Sequence, residues 1–389
     1  MSGTAIIRFY YRLKHKLEAV FYCWKIVKAL SLMNNNKSYK KEEVVIMKKK
    51  MMAAVLTMAM AVAAMAGCGS NSASNDAATT EKAAADGKVY KVGIVQYVDD
   101  ASLNQIEKAV EAELDAKAKE LGVTFDYKDY TYNGQADSST LNQIATDLVA
   151  EDVDVIIPIA TPTAMIMQAA TEENQIPVVF SAVSDPVTAG LVESMDKPGS
   201  NITGTSDALN TEAVMDLMFA ANKDIKKVGL LYNKSQDSST VPIQDAKDYL
   251  DKKGVEYVEK TGTTNDEISL AADALVAAGV DAVFTPTDNT VMTAELAIYE
   301  KFVEAGIPHY AGADSFALNG AFCGFGVNYV DLGTATADIV VDILVNGKDP
   351  ATTAVQTMSN GIATVNTDVA SQLGIDSVSY THLRAHETV

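Results

Sequence analysis

The polar residues of this chain that could do chemistry come in clusters, and each cluster follows an apolar run. Gln96-Tyr97 ends one such run, Thr161-Pro162-Thr163 a second, and the stretch from Ser181 through Ser184 to Asp185 a third. Tyr232-Asn233, Thr287-Asp288-Asn289 and Asp314-Ser315 do the same further on. Hydroxyls beside the free amides of a helix start can bind a carboxylate, and an aspartate there can neutralise an ammonium group. Thr161, Thr163, Ser184 and Asp288 are also good helix caps, so none of them singly argues for a ligand. Their recurrence at equivalent places does. Tyr97 and Phe325 can stack on a ligand ring or fill a core.

The groups that bond-making chemistry needs are sparse. The cysteines are Cys23, Cys68 and Cys323, with no CxxC pair, and Cys323 reads as a small buried apolar residue. Of the four histidines only His309 lies inside the main body. It follows Pro308 in a strand-like run and reads as structural. A Ser-His-Asp nucleophile and a His/Cys metal site are therefore not expected. No GxxxxGK[ST] or GxGxxG occurs, and Gly324-Phe325-Gly326 lacks the third glycine. The chain reads as a non-enzyme with no catalytic residues, no metal and no cofactor.

The elements that would position the polar clusters alternate. Strands are expected at 89–96, 124–130, 153–159, 178–182, 227–232, 256–260, 282–285 and 309–313. Helices are expected at 103–121, 139–151, 213–222, 241–253, 267–278 and 291–305. The run Val153-Asp154-Val155-Ile156-Ile157-Pro158-Ile159 is nearly all apolar, as a strand buried on both faces requires. Alternation of this kind implies parallel sheets with right-handed crossovers, and ligands then sit beyond the carboxyl ends of the strands.

The chain also repeats itself. Residues 153–165 align without gaps on 280–292, and each copy runs on through a helix to Ile-Pro, at Ile176-Pro177 and Ile307-Pro308. Lys91-Val92-Gly93-Ile94-Val95 matches Lys227-Val228-Gly229-Leu230-Leu231. The expected fold class is α/β, with two Rossmann-like lobes of parallel sheet joined by a multi-strand hinge. Lobe I is assigned 88–204 plus 315–350, and lobe II 205–314 plus 351–377. On this reading the strand at 322–328 and the helix at 332–345 return to lobe I, and 355–365 crosses back.

The ends have their own pattern. Met47 opens MKKKMMAAVLTMAMAVAAMAGC, with lysines, an apolar run, small residues and then Cys68. This is the layout of a bacterial secretory signal. Met65-Ala66-Gly67-Cys68 resembles the lipobox of bacterial lipoproteins, with methionine in place of the more usual leucine. That resemblance makes Cys68 the lipidated first mature residue. Residues 47–67 are then the signal peptide and 68–87 a flexible tether. Residues 1–46 read as translated leader, because Lys41-Glu42-Glu43-Val44 can be spelled as a ribosome-binding sequence just before the codon for Met47. Residues 378–389 resemble the translation of a sequencing adapter.

Charge narrows the partners. Of the 389 residues, 48% are hydrophobic and 21% charged, ordinary for a globular protein. Residues 68–378 hold 18 Lys/Arg against 47 Asp/Glu, a net of −29. Such a body repels nucleic acid and anionic membrane surfaces.

The phrases VGIVQYVDDASLNQ, STLNQIATDLV, IATPTA, IPVVFSAVSDPVTAGLV, NITGTSD, KKVGLLYN, PTDNTV and GADS together carry a family resemblance. Over residues 88–376 the chain resembles the substrate-binding lipoproteins of bacterial ABC importers. These have the type I periplasmic-binding-protein fold, and the branch that includes tryptophan and tyrosine importers is the most similar. The resemblance implies an extracytoplasmic protein, lipid-anchored to the bacterial membrane through Cys68, monomeric and free of nucleic acid. It would trap a small ligand between its lobes and hand it to an ABC permease and its ATPase. For an α-amino acid it implies Thr161, Thr163 and Ser184 on the carboxylate, Asp288 or Asp314 on the ammonium, and Tyr97 beside the side chain. Gln96, Asp185, Asn233 and Asn289 complete the candidate ligand-binding set. The family often has His-Pro where this chain has Asp100-Ala101-Ser102. A sugar or nucleoside ligand on the same fold is the alternative, followed by a ligand sensor with no transport role.

Overall fold

The computed structural model describes residues 87–358 and 361–375. The leader, the signal, Cys68 and the adapter-like end lie outside them.

The chain runs β1 (Val89–Gln96), α1 (Ala101–Leu121), β2 (Thr124–Asp126), β3 (Thr131–Asn133), α2 (Ser138–Ala150), β4 (Val155–Ile159), α3 (Thr161–Thr171), β5 (Val178–Phe180) and β6 (Ile202–Ser206). It continues through α4 (Thr211–Ala221), β7 (Lys227–Tyr232), α5 (Asp237–Lys253), β8 (Glu256–Thr261), α6 (Asn265–Ala278), β9 (Ala282–Thr285), α7 (Asn289–Glu304), β10 (His309–Ala311), α8 (Asp314–Leu318) and β11 (Cys323–Gly326). It closes with α9 (Tyr329–Leu344), β12 (Gln356–Thr357), β13 (Ile362–Val365) and α10 (Thr367–Leu373).

Two sheets result. The first has the order β12-β6-β5-β4-β1-β2, with β3 also pairing β1, and every pair is parallel. The second has the order β13-β11-β10-β9-β7-β8 and is parallel except where β13 meets β11. β4 is buried along its whole length, as its apolar run requires. In α1 the residues Leu103, Ile106, Val110 and Leu114 form one buried stripe at helical spacing. Asp100 caps that helix, and the left-handed Gly122 ends it.

The sequence repeat is a structural repeat. Asp154 accepts the Lys91 amide at 2.7 Å, and Asp281 accepts the Lys227 amide at 2.9 Å. Gly93 sits under Leu148 and Gly229 under Leu275. In both places a Cβ would lie 3.0 Å from the leucine methyl. Each lobe thus starts its sheet with the same pin and the same tight strand–helix contact.

The chain crosses between the lobes at 207–210, again between β11 and α9, and a third time between β12 and β13. The expected return to lobe I at residue 315 comes too early. α8 and β11 belong to the second lobe, because β11 pairs with β10 and β13. The return is made by α9, which packs on α1, β5 and β6. Nor does 351–377 lie wholly in lobe II: β12 joins β6 in the first sheet before β13 enters the second. At the α1–α9 contact a side chain at Gly333 would collide with the Ile106 carbonyl, 2.6 Å from its Cβ position. The close helix approach needs glycine there.

β6 was not expected from its composition. Thr203, Thr205 and Ser206 are fully buried, and their hydroxyls are satisfied by distant partners. Thr203 bonds the Thr353 carbonyl at 2.7 Å, Thr205 the Thr336 hydroxyl at 2.8 Å, and Ser206 the Ser184 carbonyl at 3.1 Å.

Candidate functional site

The carboxyl ends of both sheets face one cavity of about 380 Å³. From the first lobe it is lined by Ser102, Leu103, Ala160, Thr161, Ala182 and Ser184. Ser238, Thr287, Asn289, Met292, Ala313 and Phe316 come from the second, with Asp207 and Tyr329 on crossing segments. No Lys or Arg is among the lining residues.

Backbone conformation marks the first-lobe wall. Ala160 has φ 81° and Ala182 φ 55°, left-handed values that cost a residue with a side chain about 1–3 kcal/mol. Both alanines line the cavity at strand ends. Ala160 is the N-cap of α3, and no side chain caps that helix. Thr161, expected to be the cap, is instead its first helical residue. It is buried and lines the cavity. The first amides of α3, those of Thr161 and Thr163 because Pro162 has none, thus lack a side-chain cap. Thr163 is fully buried, and its hydroxyl has no hydrogen-bond partner.

The corresponding helix of the second lobe is different. By the sequence repeat Asp288 stands where Thr161 stands, and it caps α7. Its carboxylate accepts the Asn233 amide at 2.7 Å, the Ser239 hydroxyl at 2.7 Å, the Thr290 amide at 2.9 Å and the Val291 amide at 3.0 Å. The side chain is fully buried and does not line the cavity. Asp288 therefore caps its own helix start, with all of these donors on its carboxylate, and is not among the residues lining the cavity. Asn233 serves the same network: its amide nitrogen Nδ2 donates to Thr290 at 2.9 Å, and its Oδ1 accepts the Ser235 amide at 2.8 Å.

The carboxylate that does reach the cavity is Asp207, just beyond β6. Only 7% of it is exposed. Burial pushes its carboxyl up to about 6, against an opposing hydrogen bond from Ser184. Ser184 Oγ donates to Asp207 at 3.0 Å and lies 2.8 Å from the Thr287 hydroxyl. One side chain of the first lobe thereby touches both the crossing segment and the second lobe. Asp207 also borders a second cavity of about 250 Å³ among the crossing segments, with Phe325 and Met358.

The other expected residues divide. Thr161, Ser184 and Asn289 line the cavity. Gln96 is buried but bonds Asn104 at 2.7 Å. Asp185 accepts the Thr188 amide at 2.9 Å in a local turn. Tyr97 is half-buried among core residues, and Phe325 belongs to the second cavity rather than the first. Asp314 does not line the cavity; it takes part in a separate contact between lobes. The aromatic rings that line it, Phe316 and Tyr329, were not singled out in the sequence. His309 is buried in the second lobe between Glu295 at 3.1 Å and Thr285 at 2.8 Å; its ring packs edge-on against Phe316 and does not itself line the cavity. Cys323 is also core, its thiol pushed up to about 12 by burial. Among the described residues no group of three or more His, Cys, Asp or Glu can hold a metal ion, and no helix is long and apolar enough to cross a membrane.

Comparison with known proteins agrees with this geometry. A tyrosine-binding protein of Clostridioides difficile (strain R20291) is 31% identical over 333 residues, which cover 85% of this chain and 94% of the relative. A solved ABC domain from Streptococcus pneumonia in complex with L-Trp superposes with a TM-score of 0.69 at 29% identity, covering 76% of this chain and 98% of that one. A ligand-free, open substrate-binding protein with adhesive properties from Clostridium difficile gives 0.58 at 32% identity, over 74% and 96% of the two chains. The family described as ABC transporter substrate binding protein matches residues 91–389, and the chain belongs to that family.

Proposed function

We propose that this protein captures an α-amino acid with an aromatic side chain in the cleft between its lobes. The observation that carries this reading is the lining of one cavity by three kinds of group. The uncapped start of α3 with the Thr161 hydroxyl suits a carboxylate. The buried carboxylate of Asp207 suits an ammonium. Leu103, Met292, Phe316 and Tyr329 offer an apolar, partly aromatic wall. Without a lysine or arginine in the lining, a purely anionic ligand has no counter-charge. The ligands named for the tyrosine-binding relative and the L-Trp complex have this chemistry.

The family to which the chain belongs is one of extracytoplasmic solute-binding proteins rather than enzymes, and its members deliver small ligands to ABC permeases. We place this protein there as a monomer, tethered by a lipid on Cys68 and delivering an amino acid to its permease and ATPase. Calorimetric titration against the twenty amino acids, sugars and nucleosides tests the ligand. Tyrosine or tryptophan is expected to bind at micromolar or tighter affinity. Binding of a sugar or nucleoside and of no amino acid would overturn the reading. For the anchor, labelled fatty acid is expected to enter the protein in cells and to be lost in Cys68→Ala. Equal labelling of the two would remove the anchor.

A further inference from the structure

A second set of contacts joins the lobes and includes none of the uncapped α3 amides. The start of α1, on the first lobe, meets the start of α8, on the second. Ser102 Oγ donates a hydrogen bond to Asp314. Gln105 Nε2 donates to the other carboxylate oxygen of Asp314 at 3.1 Å. The Ser315 amide donates back to Ser102 Oγ at 3.2 Å. The Ser102 hydroxyl thus both gives and accepts, and both Asp314 oxygens are engaged. Bonds to an ionised carboxylate are the stronger kind. Ser102 and Ser315 are buried, so water competes little for these groups. Neither Gln105 nor Asp314 lines the ligand cavity. Separating the lobes would break every one of these bonds, because α1 packs against the first sheet and α8 against β11 of the second.

We propose that Ser102, Gln105 and Asp314 form a clasp that holds the lobes together whether or not the cavity is filled. Closure is then not driven by the ligand alone. The closed arrangement is populated in the ligand-free protein, and a bound ligand leaves only after the clasp has opened. Gln105 and Asp314 are positioning residues: they act on the ligand by setting how long the lobes stay shut. The clasp slows both steps: arrival needs the open fraction, which the clasp lowers, and departure waits on clasp opening.

The first test needs no ligand, so its outcome is separate from the amino-acid reading. In the ligand-free full chain, hydrogen exchange at the Ser315 amide is expected to be at least tenfold slower than in Asp314→Ala. Small-angle scattering should show the variant with the larger radius of gyration. Equal exchange in the two proteins, both with open-lobe scattering, would overturn the clasp. Gln105→Ala removes one half-buried donor, keeps the fold testable should Asp314→Ala unfold, and is expected to fall between them. The second test uses L-tyrosine and L-tryptophan as probes in stopped-flow mixing. Asp314→Ala should raise the dissociation rate tenfold or more and raise the association rate as well, because more of the ligand-free protein is then open. An unchanged dissociation rate would also overturn the proposal. So would a purely additive Ser102→Ala/Asp314→Ala double variant.

Discussion

Replacing Asp207 by alanine is expected to weaken amino-acid binding by about 2–5 kcal/mol, roughly 30- to 4,000-fold, because a buried ammonium would lose its counter-charge. The same carboxylate should be a burden to the ligand-free fold. Burial holds it at about 6, against an ordinary 3.8, so the folded chain binds this proton more tightly than the unfolded chain does. The stability cost is therefore fully present above about pH 6, and it is relieved as pH falls from there towards 3.8. At 1.36 kcal/mol per pH unit it amounts to about 3 kcal/mol at pH 7. Asp207→Asn should raise ligand-free stability at pH 7 by up to that amount and leave it nearly unchanged at pH 4, while losing the ligand. For the native protein, ligand affinity should fall by up to about tenfold per pH unit below about 6, as protonation removes the anion. Urea unfolding at the two pH values and calorimetry from pH 5 to 7 check these outcomes. An asparagine variant that binds as tightly as the native protein would exclude Asp207 from the site.

Asp288→Ala should do the opposite. Its four donors, the amides of Asn233, Thr290 and Val291 and the Ser239 hydroxyl, would be left without an acceptor. Loss of a helix cap costs about 1 kcal/mol, and an unsatisfied buried donor about 1–3 kcal/mol. Relaxation and entering water will recover part of this, so a loss of about 3–5 kcal/mol is expected, read as a lower urea midpoint. The surviving folded fraction should bind ligand far better than Asp207→Ala does. An Asp288→Ala variant of native stability that has lost the ligand would return Asp288 to the site. The two aspartates thus separate binding from folding by experiment.

What the sequence disclosed follows from where the deciding contacts lie. β7 and β9 match the expected ranges to the residue, because Lys227–Tyr232 and Ala282–Thr285 are apolar runs that need only a sheet to bury them. β6 escaped because its buried hydroxyls are satisfied by Thr336 and the Thr353 carbonyl, more than a hundred residues away. Thr161, Ser184 and Asn289 could be found from strand ends alone. Asp207 could not, since its place depends on the chain leaving one lobe for the other just there. Asp288 was legible as a polar strand-end residue, but its role turned on which donors surround it. No local pattern tells a carboxylate that caps its own helix from one held ready for a ligand.

The threefold crossing of the chain has a consequence for how the protein is made. The first lobe is not finished when β6 emerges. Its sheet edge waits for β12, and α1 waits for its partner helix α9, more than two hundred residues later. Contacts so distant in sequence close slowly. Until residues 329–357 arrive, Ile106 and Ala109 lack the close approach of Gly333 on α9, and the Ser181 and Thr205 hydroxyls lack their Thr336 partner. A chain built in this order stays incomplete until nearly all of it has been synthesised. That delay suits a polypeptide that must be threaded through a membrane before it folds.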